Sequence, residues 1–117
     1  MMGEHEPVTL AQAAQALGLA AQVGAATEEP ITGAQVSDLL SYVMANGKRG
    51  QVWITIQTHP NTVAVAGLAG MTAIVIAGGF EPEPETVARA EEEDLPLFVS
   101  HETAYSLAGK LYELGVR

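Results

Sequence analysis

The chain has 117 residues, no cysteine, and a formal charge of −9 from 14 acidic and 5 basic residues. This length suits one domain that buries its own core, and the lack of cysteine excludes disulfides, thiolate metal sites and a cysteine nucleophile. The negative charge disfavours binding to nucleic acid or to an anionic membrane surface. The start, MMGEHEP, has neither a secretory nor a lipidation pattern, which predicts a cytoplasmic protein.

A first helix and two short strands are predicted in the first third of the chain. They follow a start at residues 1–7 that is predicted to be disordered. Thr9 and Gln12 form a capping-box pattern for the helix, and Gly18 supplies its stop. The weakly patterned segments 19–25 and 31–36 are the candidate strands.

A second helix is predicted after the second of these strands. Ser37 or Asp38 is expected to cap it, because short polar side chains at this position accept hydrogen bonds from the first turn. Its end is marked by Asn46-Gly47. Its predicted apolar face carries Leu39, Leu40, Val43 and Met44.

The uncharged stretch from Gly50 to Gly79 has the pattern of a strand, a helix and a second strand. Residues 52–57 are β-branched and alternating, residues 62–69 are an apolar helix after Pro60, and residues 73–77 are again β-branched. The two strands of such a βαβ unit run parallel. Glycines interrupt the apolar run, so a buried sheet explains it better than a membrane span does.

The remaining third continues the alternation of helices and strands. A helix is predicted from Pro84 to about Glu93, a strand over residues 95–99, and a last helix over residues 103–114 that ends before Gly115. The whole pattern predicts a single three-layer α/β domain, residues 1–117, with a mainly parallel sheet flanked by helices.

The candidate functional site is the set of corners that follow the parallel strands. The carboxyl ends of parallel strands meet at one edge of the sheet, where α/β domains bind ligands. Polar side chains and glycines beside helix starts would suit a small anion or the polar edge of a nucleotide. Ordinary helix caps and turn glycines account for the same residues. The candidates are Ser37, Asp38, Gln57, Thr58, His59, Asn61, Gly78, Gly79, Ser100 and His101.

No catalytic residue, metal site or cofactor is predicted. A phosphate loop and a G-x-S-x-G nucleophile motif are both missing from the sequence. Asp38, His59 and His101 resemble a metal triad, but no close histidine spacing supports them.

The segments TGAQVSDLLSYVMAN, WITIQTHPNTVAVAGL, AIVIAGGFEPEPETVARAEEEDLPLFVS and AGKLYELG, taken in this order, resemble the DRTGG-domain family. The resemblance is clearest over residues 31–117. It implies an α/β module used mostly for regulation or dimerisation, often joined to nucleotide-sensing CBS pairs or to phosphotransacetylases. The chain is also similar to the N-terminal domain of HPr kinase/phosphorylase, without the phosphate-loop domain that carries the kinase chemistry.

The family signature falls on two corners of the predicted sheet. Its Asp-Arg aligns with Thr58-His59 and its Thr-Gly-Gly with Ala77-Gly78-Gly79, so the two glycines match. The resemblance implies a non-catalytic regulatory or protein-interaction module, homodimeric, with a protein partner that the sequence does not identify. The alternative is a sensor that binds an adenine nucleotide or a similar small anion at the carboxyl edge of the sheet.

Overall fold

The computed structural model describes residues 7–117, so the predicted disordered start, apart from Pro7, lies outside the described residues. The helices and strands follow the alternation predicted from the sequence. In chain order they are α1 (Leu10–Leu17), β1 (Ala20–Val23), β2 (Gly33–Val36), α2 (Leu40–Asn46), β3 (Gln51–Thr55), α3 (Asn61–Ala69), β4 (Ala73–Ile76), α4 (Pro84–Glu92), β5 (Leu97–Val99) and α5 (Ala104–Leu114).

The strands form one sheet in the order β1-β5-β4-β3-β2. Neighbours from β2 to β5 pair parallel, and β1 pairs antiparallel with β5. The predicted mainly parallel sheet is therefore confirmed. Pro96 directly precedes β5, and because β5 lies inside the sheet, this proline marks the beginning of a strand and not an edge.

Helices cover both faces of the sheet, which confirms the three-layer architecture. On one face α1 and α5 pack against β3 through residues that include Leu10, Leu107 and Ile54. On the other face α2, α3 and α4 share a second core, in which Trp53 and Ile74 lie against the helices. Because β3 and β4 are covered on both faces, both strands need apolar side chains at almost every position.

The helix ends follow local signals where these were predicted. The side chain of Thr9 accepts a hydrogen bond from the Gln12 N–H, the reciprocal bond is also present, and Gly18 ends α1 in the left-handed region at φ 64°. Thr103 caps α5 by accepting from the Ser106 N–H. These ends are set by neighbouring residues alone, which is why the sequence predicts them well.

The predicted cap of α2 is wrong, and its predicted apolar face is half right, since Val43 belongs to the second core and Leu40 packs against it. The N-cap position belongs to Leu39, whose side chain cannot accept a hydrogen bond, and Asp38 turns instead toward β3. Of the predicted apolar face, Val43 is buried, whereas Leu39 and Met44 are exposed. The reason is position: α2 lies beside the last strand of the sheet, so one of its flanks has no neighbouring helix within the described chain.

Two glycine substitutions are expected to change stability in opposite directions. Gly50 is buried at φ 86°, and a Cβ there would lie 2.7 Å from both Cγ2 and Oγ1 of Thr32. Gly50→Ala should therefore lower the free energy of unfolding by about 2 kcal/mol or more. Gly109 lies inside α5 with open space around its Cβ position, so Gly109→Ala should raise it by up to about 1 kcal/mol. Urea unfolding followed by circular dichroism measures the free energy of unfolding of both variants. Equal changes in the two variants would contradict these expectations.

Candidate functional site

Four corners form the carboxyl edge of the sheet, because β2, β3, β4 and β5 run in the same direction. The corners comprise residues 37–39, 56–61, 77–80 and 100–102. All ten candidate residues lie on this edge, with Asn61 as the first residue of α3. The sequence therefore predicts where this edge lies. The hydrogen bonds along the edge determine which side-chain and backbone groups are left unpaired.

Asp38 joins the corner after β2 to the corner after β3. Its Oδ1 accepts hydrogen bonds from Thr55 Oγ1 at 2.9 Å and from the Ile56 N–H at 2.8 Å. Gln57 Nε2 donates to the Asp38 carbonyl at 2.9 Å. Thr55 is fully buried, so this carboxylate satisfies a buried hydroxyl, as buried polar groups require, and also the first N–H after the strand.

The backbone around Ser37 is fixed by the same pair of strands. Trp53 lies beneath α2 and donates its indole N–H to the Ser37 carbonyl at 2.8 Å. The Ser37 hydroxyl accepts the Leu39 N–H at 3.2 Å. Ser37 therefore closes a local turn, and the buried tryptophan finds the partner that its N–H needs.

The corner at Thr58 and His59 is tied to two helices. His59 Nδ1 accepts the Asn61 N–H at 3.0 Å, and the His59 carbonyl accepts from Thr62 Oγ1 at 2.8 Å. The Thr58 carbonyl accepts from Thr86 Oγ1 of α4 at 2.6 Å. His59 therefore satisfies the first N–H of α3, and Asn61 is the first residue of that helix and not its cap.

Gly78 and Gly79 use their N–H groups to bind the corner after β5. Gly78 donates to the Glu102 carbonyl at 2.8 Å, and Gly79 donates to the Ser100 carbonyl at 2.9 Å. Both glycines have positive φ, 82° and 81°. A Cβ on Gly79 would lie 3.2 Å from His101 Nδ1, so the glycine lets the imidazole approach the backbone. Since both N–H groups are paired, this turn does not form an anion-binding nest.

The corner after β5 is organised around Glu102. Its carboxylate accepts from Ser106 Oγ at 2.6 Å and pairs with Lys110 Nζ at 2.8 Å. Hydrogen bonds from Lys110 and from Ser106 hold the pKa of Glu102 below its ordinary value. The Ser100 hydroxyl accepts the Glu102 N–H at 3.1 Å. Ser100 is therefore a turn residue, and the exposed group left at this corner is His101.

Two apolar side chains on the carboxyl edge were missed by the sequence reasoning. Ile56 is 44% exposed and Phe80 is 51% exposed, and both lie beside Gly78: a Cβ there would be 3.2 Å from the Phe80 ring and 3.8 Å from Ile56 Cγ2. A signal for Phe80 exists in the sequence, because a lone phenylalanine follows the glycine pair and precedes a run of glutamates and prolines. Such a position is normally polar.

The candidate metal triad is not assembled. Within residues 7–117, no three His, Asp or Glu side chains are grouped closely enough to hold a metal ion. His59 follows β3 and His101 follows β5, and β4 lies between these two strands. Two strand spacings separate the corners by about 10 Å. Asp38 is turned toward Thr55 and Ile56.

A solved structure with a similar fold matches almost the whole chain. It is the regulatory region of Clostridium perfringens pyrophosphatase, comprising CBS and DRTGG domains, complexed with its activator diadenosine tetraphosphate. The TM-score is 0.66 at 12% sequence identity, and the match covers 94% of this chain and 51% of that one. The chain has a DRTGG-like fold. No protein-family model matches the sequence, and no curated protein does so either.

The DRTGG-like domain spans about half the length of the solved chain that it matches. The two places where the family signature falls, Thr58-His59 and Gly78-Gly79, lie on neighbouring corners, because β3 pairs with β4. Between residues 7 and 117, no helix is long and apolar enough to cross a membrane.

Removing the Asp38 carboxylate should destabilise the domain. Asp38→Ala leaves the buried Thr55 hydroxyl and the Ile56 N–H without their acceptor, so the free energy of unfolding should fall by about 1–3 kcal/mol. Asp38→Asn is the control, because its amide oxygen can accept the same bonds, and it should cost less. Urea unfolding measures both variants. If Asp38→Ala were as stable as the wild type, the carboxylate would not hold the two corners together.

Proposed function

We propose that this chain is a cytoplasmic, non-catalytic regulatory or protein-interaction module that works as a homodimer. The proposal rests on which groups of the carboxyl edge are paired and which are exposed. Most of the hydrogen-bonding groups described above are paired within the domain, and two large apolar side chains, Ile56 and Phe80, are exposed beside them. An edge of this kind suits contact with another macromolecule better than chemistry on a substrate.

The argument against catalysis concerns the groups that a reaction needs. A general base or a nucleophile must reach the substrate with a free side-chain atom. Three of the candidates use a side-chain atom on the backbone: Asp38 on Ile56, His59 on Asn61 and Ser100 on Glu102. The exposed His101 makes no side-chain hydrogen bond to an acid or a nucleophile within residues 7–117. An oxyanion would need free N–H donors, and those of Gly78 and Gly79 are used in the turn.

The argument for interaction concerns the exposed apolar side chains. Aromatic residues and methionine are enriched in protein interfaces. Among residues 7–117, the large hydrophobic side chains that are at least half exposed are Val36, Leu39, Tyr42, Met44, Leu68, Phe80, Tyr105 and Tyr112. The similar solved chain belongs to the regulatory region of an enzyme, which supports an accessory role for this fold.

The homodimer is testable on the purified protein. Light scattering after gel filtration, at tens of micromolar chain, should give twice the 12.2 kDa mass of one chain. The measurement should be repeated at high salt, because association through apolar surface survives screening, whereas association through charges does not. A strictly monomeric protein under both conditions would remove the dimer from the proposal.

A second candidate function is a small-molecule sensor that binds an adenine nucleotide or a similar anion at the carboxyl edge. The half-exposed ring of Phe80 favours it, since a planar base can stack on an exposed aromatic ring. Exposed polar groups beside this ring are those of His59, Asn61 and His101. The similar solved structure contains the activator diadenosine tetraphosphate. The paired glycine N–H groups and the nearby carboxylates of residues 81–85 weaken this candidate relative to the first.

A thermal-shift series separates the two candidate functions. Diadenosine tetraphosphate, ATP and inorganic phosphate are the probes, and a ligand at a hundred times its dissociation constant should stabilise the fold by about 2.7 kcal/mol. If the sensor proposal holds, Phe80→Ala should remove the shift, and Tyr105→Ala on the surface of α5 should keep it. If all three probes leave the melting temperature unchanged, the sensor is excluded and the interaction module remains.

A further inference from the structure

Within residues 7–117, no strand covers the outer edge of β2. β2 is the last strand of the sheet, and among the described residues β3 is its one partner. Ser37 donates its N–H to the Ile54 carbonyl, and backbone groups alternate in direction along a strand. The N–H and C=O groups of Ala34 and Val36 therefore point away from β3. They form a short row of donors and acceptors that another strand can pair with.

The two edges of the sheet differ in how they are protected. β1, with sequence AAQV, has an irregular register between Ala21 and Val23, and such bulges discourage further pairing. β2, with sequence GAQV, pairs with β3 in a continuous register. It contains no charged residue and no proline. Natural proteins commonly place one of these features on an edge that must stay unpaired.

Exposed apolar side chains lie beside the β2 edge. Val36 is 50% exposed, and Leu39 and Tyr42, one helical turn apart, are 62% and 51% exposed. The opposite flank of α2 faces α3, since Gly47 at the end of α2 lies beside Ala69 and Met71. Val36 lies on the face covered by α1 and α5, as its partner Ile54 does, whereas the flank with Leu39 and Tyr42 lies on the opposite face, so apolar side chains border the β2 edge on both faces of the sheet.

Charge also distinguishes this part of the molecule. From residue 31 to residue 47 the sequence carries one charged side chain, Asp38, and its carboxylate is bonded to Thr55 and Ile56. Two copies of a chain with a net charge of −9 repel each other. They meet at the lowest electrostatic cost where neither presents charge.

We propose that two copies of this chain pair through their β2 strands, antiparallel about a two-fold axis, and so form one continuous sheet. This inference rests on the homodimer proposed above and names its surface. An antiparallel register that pairs Ala34 with Val36 of the second copy uses the outward backbone groups of both residues. Gln35 then lies on the two-fold axis, opposite its own copy in a pair without backbone hydrogen bonds.

The helices fit the same arrangement. α2 connects β2 to β3 and lies over that pair, so the α2 helices of the two copies would lie on the same face, about 10 Å apart. This is an ordinary distance for packed helices. Leu39 and Tyr42 of each copy would be covered by the helix of the other. An extended peptide from a different protein would pair with the strand but leave these two side chains exposed, which favours a second copy as the occupant.

A single-cysteine variant tests the register directly, because the natural chain has no cysteine. In the proposed pairing the two Gln35 Cα atoms are about 4.5 Å apart, which a disulfide can bridge. Gln35→Cys should form a covalent dimer in high yield with oxidised glutathione, as seen on a non-reducing gel. Gln22→Cys, at the same place in the AQV sequence of β1, is the matched control and should remain mostly uncrosslinked.

Two tyrosine variants test the helix contact. Tyr42→Lys on α2 should raise the dissociation constant of the dimer about tenfold or more, measured by sedimentation at a series of concentrations. Tyr105→Lys, the same change on the more exposed surface of α5, should leave it unchanged. Circular dichroism confirms that each variant is folded; Tyr42 is exposed, so this test stands even if Gln35→Cys folds poorly.

The outcomes separate this inference from the homodimer itself. A monomeric wild type would overturn both. A dimeric wild type in which Gln35→Cys crosslinks no better than Gln22→Cys, and in which Tyr42→Lys still associates, would overturn the β2 pairing and leave the homodimer in place. Dissociation by Tyr105→Lys alone would move the interface to α5 and would also overturn the β2 pairing.

Discussion

Burial of β3 and β4 on both faces is the constraint on which the rest of the structure depends. Trp53 and Ile54 are adjacent in β3 and are both fully buried, although they point to opposite faces. A strand of this kind must be covered twice, so α1 and α5 are needed on one side and α2, α3 and α4 on the other. The uncharged stretch from Gly50 to Gly79 is the sequence counterpart of this requirement.

Much of the fold could be predicted from the sequence because its signals are local. The Thr9 capping box, the glycines that end α1 and α5, and the β-branched run of β4 each depend on residues within a few positions. Asp38 could not be predicted in the same way. Its partners Thr55 and Ile56 are 17 and 18 positions away, and its sequence neighbourhood is that of an ordinary helix cap. Only the pairing of β2 with β3 brings these residues together.

In the candidate site, too, the position of the residues could be predicted from the sequence, whereas their hydrogen bonds could not. That parallel strands end together is a property of topology, so the ten candidate residues lie on one edge as predicted. Whether a group on that edge is free depends on loops that return to it from other strands. The Gly78 N–H is paired because the loop after β5 brings the Glu102 carbonyl within 2.8 Å. The Thr58 carbonyl is paired because α4 places Thr86 beneath it. A pattern of polar residues does not contain this information.

The two edge strands, β1 and β2, differ in their register and in their contacts. β1 and β2 share the residues AQV, yet β1 is irregular against β5 and also lies against α4. β2 is regular, and nothing in the described part of the chain pairs with its outer side. The acidic residues are concentrated elsewhere, with seven of them between residues 81 and 94. Net negative charge keeps copies of the chain apart over most of the surface, and the uncharged β2 edge is where that repulsion is weakest. Charge and backbone pairing therefore favour the same side of the molecule for the proposed association, and of the four corners on the carboxyl edge the one at residues 37–39 borders that side.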